Sequence, residues 1–404
     1  MKWQQIDQVI ASSLEQGFPG GQLIVEKGGE RLYTQYFGST SLTDCEAQAD
    51  GSLVFTRGQP VTASTLFDIA SLTKLFATTY LFQKYAQDDP ALLDRKVSSF
   101  FKVPAFQKDQ IAVGNISIKA LLSHHAGFEP NPLFYDPSYS AELYCQDRAV
   151  FVDALLKAPL VHRPESFGLY SDVDFMLLTF ILERIAGKSL EVQLRESFWE
   201  PLGLKHICYN PLQNGFSKDD IAGTERQGNT RDGLYDYPNI RKREIQGEVQ
   251  DEKAFYCMEG ISGHAGLFSN AEDLLTLWKL MTDPATLSNG IFSNQIKNRF
   301  LTPVYQDQTF GLGYRLNGFD MRYMFGDYAG KDGHHRAYGH TGWTGCLVTH
   351  DPLHELSIVY LTNRKNTPVC NPQQNPHLFY GDQLPAGKYL NIIHAIYHDL
   401  GITS

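Results

Sequence analysis

Long apolar runs are missing from this sequence. No stretch approaches the roughly 18 residues needed to cross a bilayer as a helix. The first residues, MKWQQIDQVIASSLEQGFPGG, interrupt their apolar positions with Gln, Asp and Ser and so lack the apolar centre of a signal peptide. As written, the chain is expected to be soluble and cytoplasmic; removal of a leader would make it periplasmic or anchored at the inner membrane. Cysteine is sparse and scattered: Cys45, Cys145, Cys208, Cys257, Cys346 and Cys370. The lack of any C-x-x-C pair excludes a zinc ribbon and a dithiol redox motif, and nothing suggests a disulfide framework. Six free, mostly buried thiols are expected. Positive charge is also short, with Lys+Arg 35 against Asp+Glu 45, a net −10, and no basic cluster. Nucleic acid and anionic membrane surfaces are therefore excluded as partners. No repeat, low-complexity segment, metal-ligand spacing or cofactor fingerprint is present, so neither metal nor cofactor is expected.

What is present is material for a large core: 42% hydrophobic and 12% aromatic residues in 404. Strand signals open the chain in GGQLIVEKGGERLYTQYFGS, where Gly28-Gly29 reads as a hairpin turn. Helical patterns dominate from about Ser71 to Leu202, including VDFMLLTFILERIAGKSL, which should stop at Gly187. Ser269 and Glu272 are spaced as a capping box opening another helix. Strand signals return in TFGLGYRLNG, GCLVTHDP and ELSIVYLTN, and a last helix is expected over Lys388 to Leu400. Strands at both ends with helices between predict a mixed α/β (α+β) fold. An antiparallel sheet lobe from about 1–70 and 300–404 would carry an inserted helical lobe of about 71–299 in one catalytic unit. A cleft between such lobes is where a small ligand would sit.

One helix poses a chemical question. From Ser71 onward, Leu72, Leu75, Phe76, Ala77, Leu81 and Phe82 leave no wet face, yet Lys74 lies in their midst. A buried lysine needs a partner. Ser71 and Lys74, three apart, share a helix face, and a helix N-terminus offers free N–H groups and a positive dipole end. A hydroxyl needs such a neighbouring base to become a nucleophile. Ser71-Leu72-Thr73-Lys74 thus reads as an S-x-x-K element. A second match, Ser99 to Lys102, falls in what reads as a surface turn and is set aside.

Two further elements follow in order. Tyr170-Ser171-Asp172 precedes a helix and matches Y-x-N with Asp for Asn. His340-Thr341-Gly342, expected to begin a strand, matches K-T-G with His for Lys. Tyr389-Leu390-Asn391 also matches Y-x-N but follows H-T-G and lies within the last helix, so order and context reject it.

With these three motifs in place, the sequence resembles the class C β-lactamase and D,D-peptidase superfamily of serine hydrolases. The likeness runs through LFDIASLTKLFATT, ISIKALLSHHAGF, YSDVDFMLLTFILERIAGKSL, FWEPLGLKHICYNPL and GHAGLFSNAEDLLTL. GNTRDGLYDYPNIR, GEVQDEKAFYCMEGISGHAGLFSN and NPQQNPHLFYGDQLP are similar to the penicillin-binding protein 4B type of D-alanyl-D-alanine carboxypeptidase, with Gln250 where such proteins carry a histidine. The resemblance implies acyl transfer through an acyl-enzyme. Ser71 would attack a carbonyl, with Lys74 and Tyr170 moving protons. The backbone N–H groups of Ser71 and Trp343 would hold the oxyanion. Thr341 and the rest of the H-T-G element would contact a substrate carboxylate or carbonyl. The implied partners are small peptidoglycan-derived D-Ala-D-Ala peptides, with β-lactams as acylating ligands.

Two departures bear on chemistry. Asp172 should favour charged Lys74 and shift the burden of base to Tyr170. His340 replaces a permanent cation with a group titrating near neutrality, so carboxylate binding should strengthen below pH 7. His264, on a Gly-rich turn near the implied cleft, is divided between substrate contact and structural hydrogen bonding. His124 and His125, adjacent in sequence, cannot both face one ion from a regular helix and are read as scaffold. Asp174, Glu225, Arg231, Asp251 and Glu252 are read as solvated or ion-paired surface. Two other functions remain in view: an esterase with the same residues, and a silent ligand-binding protein.

Overall fold

The computed structural model describes residues 3–49, 52–103, 113–283 and 291–403. The expected helical lobe, about 71–299, includes 104–112 and 284–290, which lie outside these. Six antiparallel strands form the main sheet: β1 (Gly20–Lys27), β2 (Glu30–Gly38), β3 (Arg315–Leu316), β4 (Tyr338–Gly342), β5 (Cys346–Asp351) and β6 (Leu356–Thr362). Their order is β2-β1-β6-β5-β4-β3, so sequence-distant β1 and β6 pair at the centre, with Leu23 opposite Tyr360.

Side chains alternate across the strands, and both faces are covered. On one face Leu23, Val25, Ile358 and Tyr360 pack with Ile6 and Ile10 of α1 (Gln4–Glu15) and with Ile392, Ile393 and Ile396 of the final helix, Tyr389–Asp399. On the other, Ile24, Val348, Val359 and Leu361 pack with Phe76, Leu177 and Trp278 of the helical body. Burial on both faces explains why β6 reads as an uninterrupted apolar run.

The hairpin expected at Gly28-Gly29 forms, both glycines taking positive φ (58° and 81°). The helix Asp172–Ala186 ends at Gly187, which has φ 63°, as its sequence requires. Two expectations are corrected. The helix Ala271–Thr282 is capped by Asn270, whose side chain accepts from the Asp273 N–H at 2.8 Å, while Ser269 belongs to the short strand before it. Glu272 turns outward to Arg31 (2.7 Å) and Tyr36 (2.8 Å) instead of back to the cap. His340-Thr341-Gly342 ends β4 rather than beginning a strand, because β5 starts only after a turn, at Cys346.

All six cysteines are free and four of them are buried. Among the described residues no helix is long and apolar enough to cross a membrane.

Candidate active site

Ser71 stands at the mouth of a cleft of about 500 Å³ between the sheet edge and the helical body. Ala70, just before it, is held at φ 47°, a conformation that an L-residue adopts only when its surroundings enforce it. Buried Asp68 does so, accepting the N–H groups of Ala70 (2.8 Å) and Gln250 (2.7 Å). Burial pushes the Asp68 carboxyl up to about 6 against those two hydrogen bonds. The chain then turns through Lys74 N–H to Ser71 C=O at 3.0 Å. It runs as a π-helical segment, Lys74–Thr79, into the α-helix Tyr80–Asp88. The wide turn is sealed by the Thr79 hydroxyl, which donates to the Lys74 carbonyl at 2.8 Å. The sequence pattern gave no sign of this π-segment; such segments are frequent at functional sites.

Lys74 is completely buried. Its ammonium donates to Ser71 Oγ (3.0 Å), Asp172 Oδ1 (2.7 Å) and the His264 carbonyl (3.2 Å), and lies 4.9 Å from the Tyr170 ring centre. Burial favours loss of its proton, but the charges of Asp172 and Tyr170 outweigh burial and raise its pKa. Burial raises the Tyr170 phenol, with Lys74 opposing. Asp172 resists burial because Lys74 and Lys253 flank it, and it stays ionised well below the usual carboxylate range. Ser71, Lys74, Tyr170 and Asp172 are therefore brought together as the motifs imply.

The H-T-G element reaches the same cleft from β4, with His340, Thr341 and Trp343 among its lining. Gly342 has to be glycine, since a Cβ there would stand 2.5 Å from the Ile69 carbonyl oxygen. Trp343 is clamped: Lys365 lies 4.4 Å and Arg231 5.2 Å from its ring centre, and Phe379 meets it edge-on at 5.6 Å.

His340 departs from expectation. Buried at the sheet edge, with Nδ1 2.8 Å from the Thr341 carbonyl, it is pushed down to about 3 by burial and by neighbouring Lys74 and Arg315. It is neutral across the physiological range, so it cannot supply a titrating cation. Arg315, which the motifs did not single out, stands one strand over, in register with Gly339, and lines the cleft. Its guanidinium packs 4.1 Å over the Phe310 ring and, among the described residues, has no carboxylate partner. Only its place in the sheet exposes it; TFGLGYRLNG alone reads as a strand.

His264 makes structural hydrogen bonds, one of the two roles expected of it. Its ring is buried, with Nε2 2.8 Å from Asp251 Oδ1 and Nδ1 2.7 Å from Ser262 Oγ, and it is Asp251 that lines the cleft. His124 is likewise internal, with Nδ1 2.8 Å from Asp174 and its ring centre 4.3 Å from that of Tyr170. His125 stacks on Tyr305 at 4.4 Å.

Asp174, Glu225, Arg231 and Glu252, read as surface, are buried instead, and Asp251 is half-buried. Arg231 joins Glu225 and Glu252, and Gln250 donates to Glu225 at 2.6 Å. Asp172, Asp251 and His264 place their ligand atoms within 4.8 Å of one another, a grouping able to hold a metal ion. Lys253 already serves these carboxylates, with its ammonium 3.3 Å from Asp172 and 3.4 Å from Asp251. The local negative charge is thus met by a side chain.

A serine in a cleft with a lysine and a tyrosine at its hydroxyl is the equipment of a serine acyl hydrolase. The chain belongs to the beta-lactamase family, whose model matches residues 6–382. It is 40% identical over 403 residues to a Bacillus subtilis (strain 168) protein named "N-acetylmuramyl-L-alanine amidase", covering 98% of this chain and 88% of the relative. It is 37% identical over 399 residues to an Escherichia coli (strain K12) protein named "Putative D-alanyl-D-alanine carboxypeptidase", covering 97% and 89%. Solved structures share the fold. They include EstCE1, a hydrolase with promiscuous acyltransferase activity (TM-score 0.66, 19% identity, 97% of both chains). The D-amino acid amidase of Ochrobactrum anthropi SV3 is another (TM-score 0.64, 19% identity, 98% of both). The protein is a serine hydrolase of this family.

Proposed function

We propose that the enzyme hydrolyses the terminal amide of peptidoglycan-derived peptides ending in D-Ala-D-Ala, releasing the last residue through an acyl-Ser71 intermediate. The observation that carries this reading is Arg315 on the cleft wall beside His340 and Thr341, a guanidinium with no carboxylate partner among the described residues. A carboxypeptidase must recognise a free carboxylate next to the scissile bond, and a guanidinium fork suits that group. With His340 neutral, Arg315 takes over the charge that a K-T-G lysine supplies elsewhere. The name carried by the E. coli relative supports the same substrate.

Cleavage of a muramoyl–L-Ala amide is the second reading, favoured by the name of the B. subtilis relative. Turnover of a D-Ala-D-Ala peptide, its C-terminal amide, an N-acetylmuramoyl-L-Ala peptide and a p-nitrophenyl acyl ester separates the two. The free-acid peptide should be the best amide substrate. Arg315→Ala should raise its KM about ten-fold or more, the worth of a charge-assisted hydrogen bond, and leave the ester unchanged. Cleavage of the muramoyl substrate alone, with Arg315→Ala silent, would overturn the carboxypeptidase reading.

A further inference from the structure

Lys253 belongs to none of the three motifs, yet it completes the electrostatics of the base. Its ammonium contacts Asp172 Oδ2 (3.3 Å), Asp251 Oδ2 (3.4 Å) and Asn131 Oδ1 (2.5 Å). The remaining oxygen of Asp172 faces Lys74 at 2.7 Å, and that of Asp251 faces His264 Nε2 at 2.8 Å. The His264 carbonyl accepts from Lys74 at 3.2 Å. Lys74, Asp172, Lys253 and Asp251 therefore alternate in charge along one line of contacts, which His264 closes into a ring through its Nε2 and its carbonyl.

We propose that Lys253 is a positioning residue for the acylation base, holding the outer oxygen of Asp172 and balancing its charge so that the Lys74–Tyr170 pair can release the proton that activation of Ser71 requires. With both lysines protonated and both aspartates ionised, the set Lys74, Asp172, Lys253 and Asp251 sums to zero. Without Lys253 it would carry −1 before the pair gives up its proton and −2 afterwards, and like charges in a buried site oppose that loss. A neutral amide at position 172 would need no second cation. Asp172 does, and Lys253 is the residue that meets the need.

Other charged and titratable groups face this unit. His124, His340 and Arg315 lie toward Lys74. Asp174 lies behind Asp172, and Glu252 and Cys257 lie beside Lys253. Burial holds both histidines neutral, so the pair's own proton sets the acidic limb of the rate profile as one macroscopic step.

The test is the pH dependence of fluorophosphonate labelling in the full chain. Ser71 Oγ bonds to phosphorus, the P–F bond breaks, fluoride leaves, and the Oγ proton passes to the base pair; Ser71→Ala should take no label. Lys253→Met should move the acidic limb up by about one pH unit, with a roughly ten-fold loss of labelling rate below it. Asp251→Asn keeps a capping oxygen for its helix and should move the limb down. Combining the two restores neutrality and should return the limb to its wild-type place, and Lys253→Arg should leave it there. Shifts of the same sign in the two single variants, or lost labelling with an unmoved limb, would overturn the proposal. Should Lys253→Met not fold, an unmoved limb in Asp251→Asn would overturn it alone. This readout needs no natural substrate, so failure of the carboxypeptidase reading leaves it intact.

Discussion

The ammonium of Lys74 and the carboxylate of Asp172 form an ion pair 2.7 Å long whose lysine is wholly cut off from solvent. At this distance and burial the pair is a single electrostatic object, and changing either member changes the proton affinity of the other.

Tyr170 must then share the work of proton transfer. Tyr170→Phe should lose about 10² to 10⁴ in kcat/KM, the usual worth of a positioned acid or base. Asp172→Asn removes the anion that holds the proton on Lys74, so the acidic limb of kcat/KM should move to lower pH. Steady-state rates with a p-nitrophenyl ester from pH 5 to 9 measure both, and an unmoved limb in Asp172→Asn would refute the coupling.

His340, pushed down to about 3, carries no charge between pH 5 and 8. KM for a D-Ala-D-Ala peptide should therefore stay flat from pH 8 to 6, contrary to what the histidine suggests in the sequence. His340→Asn should keep the shape of the wild-type profile over that window. A wild-type KM that falls as pH drops, and a flat one in His340→Asn, would restore the histidine as the carboxylate-binding cation.

Asp68 predicts a stability effect. Its carboxyl is raised to about 6 from 3.8, so the folded protein binds this proton more tightly than the unfolded chain does. That contribution is fully present below about pH 4 and is lost as pH rises through about 6. Wild-type Tm, followed by calorimetry, should rise from pH 7.5 to 5 more than that of Asp68→Asn, which has no proton to gain. The expected difference is on the order of 1 kcal/mol, the worth of about one pKa unit, since pH 5 reaches only part of the full shift. Parallel Tm curves would show that Asp68 does not titrate in this window.

The grouping of Ser71, Lys74 and Tyr170 was legible in the sequence because its motifs are tied to fixed local spacing. Ser71 and Lys74 share one turn, and Tyr170 and Asp172 immediately precede and open a helix. The sheet was legible because β1 and β6 are apolar enough to require two covered faces. Arg315 and Lys253 were not, since each acquires its role from a partner far away in sequence. Arg315 works through its register beside Gly339, and Lys253 through Asp172, 81 positions earlier. The burial of Glu225 and Arg231 was hidden for the same reason: charge alone reads as surface until the fold places an opposite charge against it. His340 misled because a histidine motif states what can titrate, while the surrounding desolvation decides whether it does.

The pairing of β1 with β6, Leu23 against Tyr360, also has a consequence for biosynthesis. Translation proceeds at about 5–20 residues per second, so β1 waits tens of seconds with one edge unpaired before its partner emerges. An open strand edge is a template for other chains, and such non-local pairing is slow to form. Trp343 is made in the same late stretch as β6. A nascent chain thus carries Ser71 and Lys74 long before it has the cleft wall of His340, Thr341 and Trp343. Hydrolytic competence should switch on only once this stretch has been made, when closure of the sheet and completion of the catalytic site become one event.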